Sequence, residues 1–139
     1  MNASEAEVPT RSGLPRSRWE IRPERRAAQD LRRAATTWIE QQGLLSGDAA
    51  LVIAELLANA VRAASNEIVL ELAVHRGSLQ VTVTDDGPGL QALPNVRLPS
   101  WEAEGSRGLF LVHELAQDVR LTSAKLGTSV TCRLVNPAG

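Results

Sequence analysis

The sequence predicts a two-layer α/β sandwich in which helices cover a mixed, mostly antiparallel sheet. Two stretches between residues 27 and 64 repeat apolar residues at the three-and-four spacing of helices, and later stretches alternate at the spacing of strands. The chain has 139 residues, 43% of them hydrophobic, which suffices for one ordinary domain and is too short for two good cores. We therefore expect a single α/β domain.

The chain opens with a segment that lacks the pattern of a folded element. Residues 1–18 mix Ser, Pro, Gly and charged residues without apolar periodicity, so we expect a disordered tail before a domain over residues 19–136. The sequence WEIR at residues 19–22 predicts a short edge strand.

Two helices are predicted after this strand. Pro23 fits the first position of a helix whose apolar stripe includes Trp38 and that ends at Gly43. The next helix begins near the capping candidates Ser46 and Asp48 and is apolar nearly all round, which predicts a buried, central helix. The polar side of the first helix carries four arginines: Arg25, Arg26, Arg32 and Arg33.

The second half of the chain changes to period two. Residues 67–74 and 78–85 alternate apolar and polar side chains, which predicts an antiparallel hairpin with Gly77 in its turn. Residues 91–107 hold two prolines and little periodicity, and they predict a long loop. The remaining predicted elements are a helix that begins at Gly108 and two strands, at residues 118–123 and 128–135.

Composition excludes several classes of protein. The formal net charge of −1 provides no uniformly basic surface, so we expect no direct contact with nucleic acid. Cys132 is the single cysteine, which excludes an internal disulfide and fits a reducing compartment. No apolar run has the length of a membrane span and the first ten residues do not resemble a signal peptide, so we expect a cytoplasmic protein without membrane contact.

The stretch DDGPGL at residues 85–90 has more acids and glycines than a hairpin turn needs. Gly87, Gly89 and Ala92 fit the glycine pattern of dinucleotide-binding proteins, but Pro94 interrupts the helix that this pattern requires. No Gly-Lys-Ser/Thr follows, so a phosphate-binding P-loop is excluded. The alternatives are a ligand site and a turn whose residues only satisfy backbone geometry.

The buried helix carries a second candidate feature. Glu55 and Asn59 are four residues apart and therefore project from the same face of this apolar segment. Because a buried carboxylate is costly without a partner, Glu55 is either the ion-pair partner of an arginine or part of a cation site with Asn59. Carboxylate and amide oxygens are hard donors that suit Mg²⁺. A third feature, GSRGLFLV from Gly105, offers free backbone N–H groups to a phosphate or merely contains loop glycines.

Taken in order, these motifs resemble those of the Bergerat-fold ATPases, which include the catalytic domains of gyrase and histidine kinases. The resemblance runs from about residue 23 to 134 and is strongest toward bacterial anti-sigma factor serine kinases and related small ATP-binding regulators. ELLANAVRAA, VTDDGPGL and SRGLFLVHELA are similar to their N, G1 and G2 boxes. The resemblance implies ATP and Mg²⁺ as ligands.

The resemblance also implies a role for each matching residue. Asn59 would hold Mg²⁺ against the phosphates, and Glu55 would orient or deprotonate the attacking hydroxyl. Asp85 would accept a hydrogen bond from the adenine amino group, with Thr128 supporting it, and residues 91–107 would form a lid. The implied nucleotide-binding residues are Asn59, Arg62, Asp85, Gly87, Gly89, Ser106, Arg107, Gly108, Leu109 and Thr128. Within this set, Gly108 and Leu109 would contribute backbone amides, and Arg62 either reaches a phosphate or stays solvated.

Two departures from the family pattern bear on activity. Ser106 stands where the G2 box usually has glycine, and Ala63 replaces the His or Tyr common at the end of the N box. The leading interpretation is a kinase that transfers the ATP γ-phosphate to a serine of an antagonist (anti-anti-sigma) protein and sequesters a sigma factor. The departures favour a non-catalytic ATP-binding interaction module somewhat, and a stand-alone ATPase is the third alternative.

The resemblance further implies a homodimer. Trp19 would place a large apolar residue beside an exposed sheet edge, which favours pairing with a second copy. The arginines of the first helix would then be free to engage an acidic partner such as the sigma factor, unless they only form a solvated basic face.

Overall fold

The computed structural model describes residues 14–44, 46–87, 104–124 and 127–135. These residues form five strands and three helices. In chain order they are β1 (Arg16–Ile21), α1 (Arg25–Gln41), α2 (Gly47–Ala63), β2 (Ile68–His75), β3 (Ser78–Asp85), α3 (Glu104–Leu115), β4 (Gln117–Ala124) and β5 (Gly127–Val135).

The strands form one sheet in the order β1-β2-β3-β5-β4. All four pairings are antiparallel, so the predicted α/β sandwich is confirmed, with an entirely antiparallel sheet in the described ranges. β2 and β3 form the predicted hairpin, in which Arg76 and Gly77 both have positive φ. The alternating sequence of β3 buries Leu79 and Val81 on one face, whereas Thr82 on the other face forms a 3.1 Å hydroxyl hydrogen bond with Thr131 of β5.

The hydrophobic core lies between the sheet and the three helices. α2 is central, as predicted, and its Ile53, Leu56 and Leu57 are at most 2% exposed. α1 contributes Trp38 and α3 contributes Val112 to the same core. None of the described helices is long and apolar enough to cross a membrane.

The N-terminal elements differ from the prediction at three points. β1 begins at Arg16, so the expected tail over residues 1–18 ends earlier, and residues 1–13 lie outside the described residues. The expectation that Trp19 is exposed is wrong, because its side chain is only 4% exposed and packs in the core. Pro23 precedes α1, whose first backbone hydrogen bond runs from the Ala28 N–H to the Glu24 carbonyl.

The start of α2 shows why a capping residue type does not guarantee a cap. Ser46 occupies the N-cap position, but its side chain makes no capping hydrogen bond. Its hydroxyl donates instead to the Glu40 carboxylate at 2.7 Å, which ties the end of α1 to the start of α2. Asp48 lies in the first turn, where a negative charge interacts favourably with the helix dipole.

α3 begins four residues earlier than predicted. The helix starts at Glu104, so the last four residues of the predicted loop, 104–107, are helical. Gly105 and Gly108, both within the first five residues of the helix, weaken it by about 1 kcal/mol each. Burial of Leu109 and Val112 against the rest of the core offsets that cost, and tertiary packing therefore overrides the local signal.

Candidate functional site

The predicted site residues of β3 and β5 meet at one end of the sheet. Asp85 is the last residue of β3, and Thr128 lies directly opposite it on β5 in the strand register. The next residue but one after Asp85, Gly87, packs against the end of α2. The strand pairing therefore brings together Asp85, Gly87 and Thr128, which are 43 residues apart in sequence at most.

Asp85 and Thr128 form a buried polar pair. Asp85 is 8% exposed and Thr128 is 5% exposed. The Gly87 N–H donates to Asp85 Oδ1 at 2.8 Å, while Thr128 Oγ1 is buried and finds no hydrogen-bond partner among the described residues. Burial, together with the neighbouring charge of Asp86, raises the pKa of the Asp85 carboxyl above its ordinary value, against the hydrogen bond from Gly87.

This pair suits a ligand with adjacent donor and acceptor groups. A carboxylate accepts hydrogen bonds, whereas a hydroxyl both donates and accepts. A buried hydroxyl without a partner costs about 1–3 kcal/mol, so the fold maintains an unfavourable group at this position. The edge of an adenine base, which carries an amino donor beside a ring-nitrogen acceptor, would satisfy both side chains.

Glycine is needed around this pair because the backbone segments nearly touch. A Cβ on Gly87 would lie 2.0 Å from the Ala63 carbonyl oxygen at the end of α2. A Cβ on Gly127, whose φ is +148°, would lie 2.0 Å from the Asp85 carbonyl oxygen. Side chains at either position would force these segments apart. Gly89, the second glycine of the predicted turn, lies outside the described residues.

Asp86 has a different environment from Asp85. Its Oδ1 accepts hydrogen bonds from the backbone N–H groups of Ser65, Asn66 and Glu67 at 2.9, 2.9 and 3.1 Å. These N–H groups lower the pKa of the Asp86 carboxyl below its ordinary value. The carboxylate thus holds the chain that leaves α2.

Glu55 and Asn59 lie on α2 at successive turns of one face, and both are half-buried. Asn59 Oδ1 accepts a hydrogen bond from the guanidinium of Arg62, which is exposed. Within the described ranges, Glu55 forms no ion pair with a basic side chain. The interpretation of Glu55 as the structural partner of an arginine therefore finds no support there.

A metal ion would depend on few protein ligands. No group of three or more His, Cys, Asp or Glu side chains that could hold a metal occurs in the described part of the chain. Mg²⁺ commonly binds through one or two protein oxygens together with phosphate oxygens and waters. The Asn59 amide oxygen fits that pattern once the Arg62 guanidinium no longer donates its hydrogen bond to this oxygen.

The helix N-terminus near the G2 motif is displaced from its expected position. Because α3 begins at Glu104, Gly108 lies in its second turn, where backbone N–H groups bond within the helix. The described amides without intrahelical acceptors are those of residues 104–106, which include Ser106 but not Arg107, because the first intrahelical bond comes from the fourth helical residue, as it does in α1. Leu109 is 6% exposed and contributes to the core. The phosphate-binding roles of these residues stay predictions, and residues 88–103 of the turn and expected lid lie outside the described residues.

The sequence analysis assigned no role of their own to two residues that shape this site. Asp86 was noticed only as a surplus acid, although a second acid after Asp85 was the available signal for a structural carboxylate. Gly127 precedes Thr128 directly, and only the strand register shows that its missing side chain admits the Asp85 backbone.

The family model for the histidine kinase-like ATPase domain matches residues 21–134. Among solved structures, the chain is similar to the histidine kinase domain of the Erythrobacter litoralis EL346 blue-light activated histidine kinase, with 31% identity and a TM-score of 0.49 over 67% of this chain and 44% of that chain. A structure titled as the Erythrobacter litoralis EL346 blue-light activated histidine kinase shows 28% identity and a TM-score of 0.50 over 67% of this chain and 30% of that chain.

The chain thus spans less than half the length of either solved structure. A comparison with curated proteins finds no match. The family model covers most of the sequence, including both strands that carry Asp85 and Thr128 and the helix that carries Asn59. The chain therefore belongs to the histidine kinase-like ATPase domain family.

Proposed function

We propose that this chain is an ATP-binding regulator of the anti-sigma factor type. In this proposal it transfers the ATP γ-phosphate to a serine of an antagonist protein and sequesters a sigma factor. The observation that carries the ATP part is the buried Asp85–Thr128 pair, with an unpartnered hydroxyl beside a carboxylate. The family supports kinase or ATPase activity in general, and the serine acceptor and the sigma factor are our inference from the motif resemblance.

Each residue of the proposed site has a chemical task. Asp85 accepts a hydrogen bond from the adenine amino group. The Thr128 hydroxyl forms a hydrogen bond with the adenine next to that group. Asn59 holds Mg²⁺, which neutralises charge on the phosphates. Glu55 accepts the proton of the serine hydroxyl as the serine oxygen bonds to the γ-phosphorus, the bond between that phosphorus and the β–γ bridging oxygen breaks, and ADP leaves.

One contact favours the alternative of a non-catalytic ATP-binding interaction module. The Arg62 guanidinium bonds the same Asn59 oxygen that would ligate Mg²⁺, so metal binding requires this contact to break. Ser106 and Ala63 also depart from the usual motif. In such a module, nucleotide occupancy would change affinity for a partner without phosphate transfer.

Transfer of labelled γ-phosphate distinguishes the two functions. The protein is mixed with γ-labelled ATP, Mg²⁺ and a candidate antagonist, and label on an antagonist serine supports the kinase. Glu55→Ala should bind ATP normally yet lose transfer, because a general base acts in the transition state. Glu71→Ala, which removes an exposed acid of β2, is the matched control and should retain both activities. Transfer by Glu55→Ala at the wild-type rate would remove Glu55 from the mechanism.

Binding variants test the nucleotide site itself. Asp85→Asn should weaken ATP binding at least about tenfold, equivalent to 1.4 kcal/mol, because the Gly87 N–H would hold the one amide oxygen and leave the NH₂ donor facing the adenine amino group. Asn59→Ala should weaken Mg²⁺-dependent binding by a similar factor. Unchanged calorimetric affinity in both variants would refute the site.

The proposal includes a homodimer formed around the edge strand. Within the described residues, β1 pairs only with β2 and leaves its other edge free. Between β1 and α1 lies a groove of about 940 Å³ whose apolar lining includes Ile21, Leu31 and Trp38. A second copy would cover both the free edge and this groove.

Because Trp19 is buried, replacing it would test the fold rather than the dimer. Ala34→Arg places a charge on an exposed position of α1 that lines the groove, whereas Gln29→Arg changes an exposed position of α1 outside it. Light scattering should give a dimer mass for wild type and Gln29→Arg, and a monomer mass for Ala34→Arg. A monomeric wild type at high micromolar concentration would contradict the dimer.

The arginines of α1 form the proposed contact with an acidic partner. Arg25, Arg26, Arg32 and Arg33 are all exposed, and only Arg33 has an ion pair among the described residues, at 3.9 Å from Asp30. Reversal of the four charges to glutamate should abolish sigma-factor binding. Retained binding would refute this role.

A further inference from the structure

We propose that Asp86 is a positioning residue that fixes the spacing between the base-binding and phosphate-binding halves of the nucleotide site. This inference rests on the proposed ATP-binding function. It concerns the second acid of the DDG sequence, whose side chain does not face the Asp85–Thr128 pair but bonds the segment after α2.

The contacts of Asp86 join two separate elements. The backbone of Asp86 continues β3, and its carboxylate accepts three N–H groups from the residues that follow α2: Ser65, Asn66 and Glu67. Asn66 also reaches Oδ2 at 3.2 Å, and the Asp86 N–H donates to the Glu67 carbonyl at 3.3 Å. One side chain therefore satisfies three backbone donors of the segment that follows α2.

Gly87, the next residue, contacts the same junction. Its Cα approaches the Ala63 carbonyl so closely that a Cβ would lie 2.0 Å from the oxygen. Gly87 thus contacts the end of α2, and the Asp86 carboxylate bonds the segment directly after it. Ala63 lies one turn beyond Asn59 on the same face of α2.

This arrangement sets the separation of the two halves. The base-binding half, Asp85 and Thr128, is part of the sheet and is held by strand pairing. The phosphate-binding half, Asn59 and Glu55, is part of α2. A ligand that occupies both halves requires their spacing to be fixed, whereas a ligand that occupies the base-binding half alone does not.

Ligands of different length therefore separate positioning from a general loss of structure. Calorimetric titration compares Mg-ATP, which spans both halves, with AMP, which lacks the β- and γ-phosphates. Asp86→Ala should lower Mg-ATP affinity at least about tenfold and AMP affinity less than about threefold. Asp86→Asn keeps an acceptor oxygen and should recover most of the loss. Asp118→Asn, which removes the charge of another exposed carboxylate that Arg133 Nε bonds at 3.0 Å, should bind both ligands as wild type does.

Hydrogen exchange of the free protein gives a readout without nucleotide. The amides of Ser65, Asn66 and Glu67 should exchange at least about tenfold faster in Asp86→Ala, because they lose their acceptor. If Asp86→Ala does not fold, Asp86→Asn must show the same difference between the two ligands with smaller losses of affinity: about threefold for Mg-ATP and none for AMP. Unchanged exchange at these amides overturns the inference.

The binding outcomes separate the inference from the function on which it rests. If wild type binds neither ligand, the proposed ATP-binding function fails, and the positioning role fails with it. If wild type binds both ligands and Asp86→Ala loses both equally or neither, ATP binding stands and the positioning role alone is overturned.

Discussion

Replacing Gly87 by alanine should damage the fold and the nucleotide site together. The new Cβ would lie 2.0 Å from the Ala63 carbonyl oxygen, 2.8 Å from its carbon and 3.0 Å from Asp85 Oδ1. Two of these three contacts are to backbone atoms, which cannot rotate away as a flexible side chain does. The turn must therefore move by about 1 Å, and overpacking of this kind costs about 1–3 kcal/mol.

This energetic cost predicts the size of two measurable changes, in Tm and in ATP affinity. For a domain of this size, each kcal/mol lowers the Tm by about 4 °C, so Gly87→Ala should unfold about 4–12 °C below wild type. A displacement of about 1 Å also moves the Asp85 carboxylate, which the Gly87 N–H holds at 2.8 Å. We expect ATP affinity to fall at least about tenfold, or 1.4 kcal/mol.

Two other glycines are matched controls for this substitution. Gly77 has φ of +81°, and no atom of the described residues lies within 4 Å of its Cβ position, so Gly77→Ala should cost about 1 kcal/mol through backbone conformation alone. It should leave ATP affinity unchanged. Gly47 has open space and no positive φ, so Gly47→Ala should be neutral or slightly stabilising. Wild-type Tm and ATP affinity in Gly87→Ala, measured by calorimetry, would refute the close contact with α2.

Four further outcomes are expected from single substitutions and labelling. Thr128→Val removes a buried hydroxyl without a described partner and should raise the Tm by about 4 °C while weakening ATP binding; a lower Tm would indicate that the hydroxyl is bonded. Burial raises the pKa of Asp85, so its charged form destabilises the ligand-free protein at pH values above the ordinary pKa of aspartate. Asp85→Asn should therefore be more stable than wild type at neutral pH and lose that advantage in acid. Because backbone N–H groups lower the pKa of Asp86, its charge stabilises the fold at neutral pH, and this stabilisation is lost as the pH falls through the lowered pKa. Asp86→Asn should therefore be less stable than wild type at neutral pH only. Denaturant unfolding across pH measures the stability of both aspartate variants. Cys132 is fully buried and its pKa is raised to about 12, so a thiol reagent should label it only as fast as the protein unfolds.

The sequence was sufficient to predict elements whose local signals agree with their packing. The β2–β3 hairpin has alternating strands and a turn with positive φ at Arg76 and Gly77, so composition and periodicity led to the same result. α2 was predicted as the central helix because its own side chains are apolar on nearly every face. In both cases the local pattern was sufficient because no distant contact opposed it.

Local signals were insufficient where distant packing decides the outcome. The prolines and Gly105 suggested a loop up to residue 107, but burial of Leu109 and Val112 extends α3 back to Glu104. Trp19 was expected at an exposed edge because a strand sequence alone does not show that α1 covers one of its faces. Ser46 bonds Glu40 rather than its own helix, a choice that depends on where α1 ends.

Asp85, which ends β3, and Asp86, which follows it, illustrate how an extended segment separates functions between neighbouring residues. Successive side chains of a strand point to opposite faces, so Asp85 follows Val83 and Val81 toward the buried side, whereas Asp86 points to the segment after α2. Burial destabilises the charge of Asp85 and leaves its carboxylate available to a ligand, while three N–H groups stabilise the charge of Asp86. A single acid could not do both, because the hydrogen bonds that hold the backbone would occupy the oxygens that a base must reach. The requirement for a fixed junction beside an available acceptor therefore explains why this turn carries two aspartates.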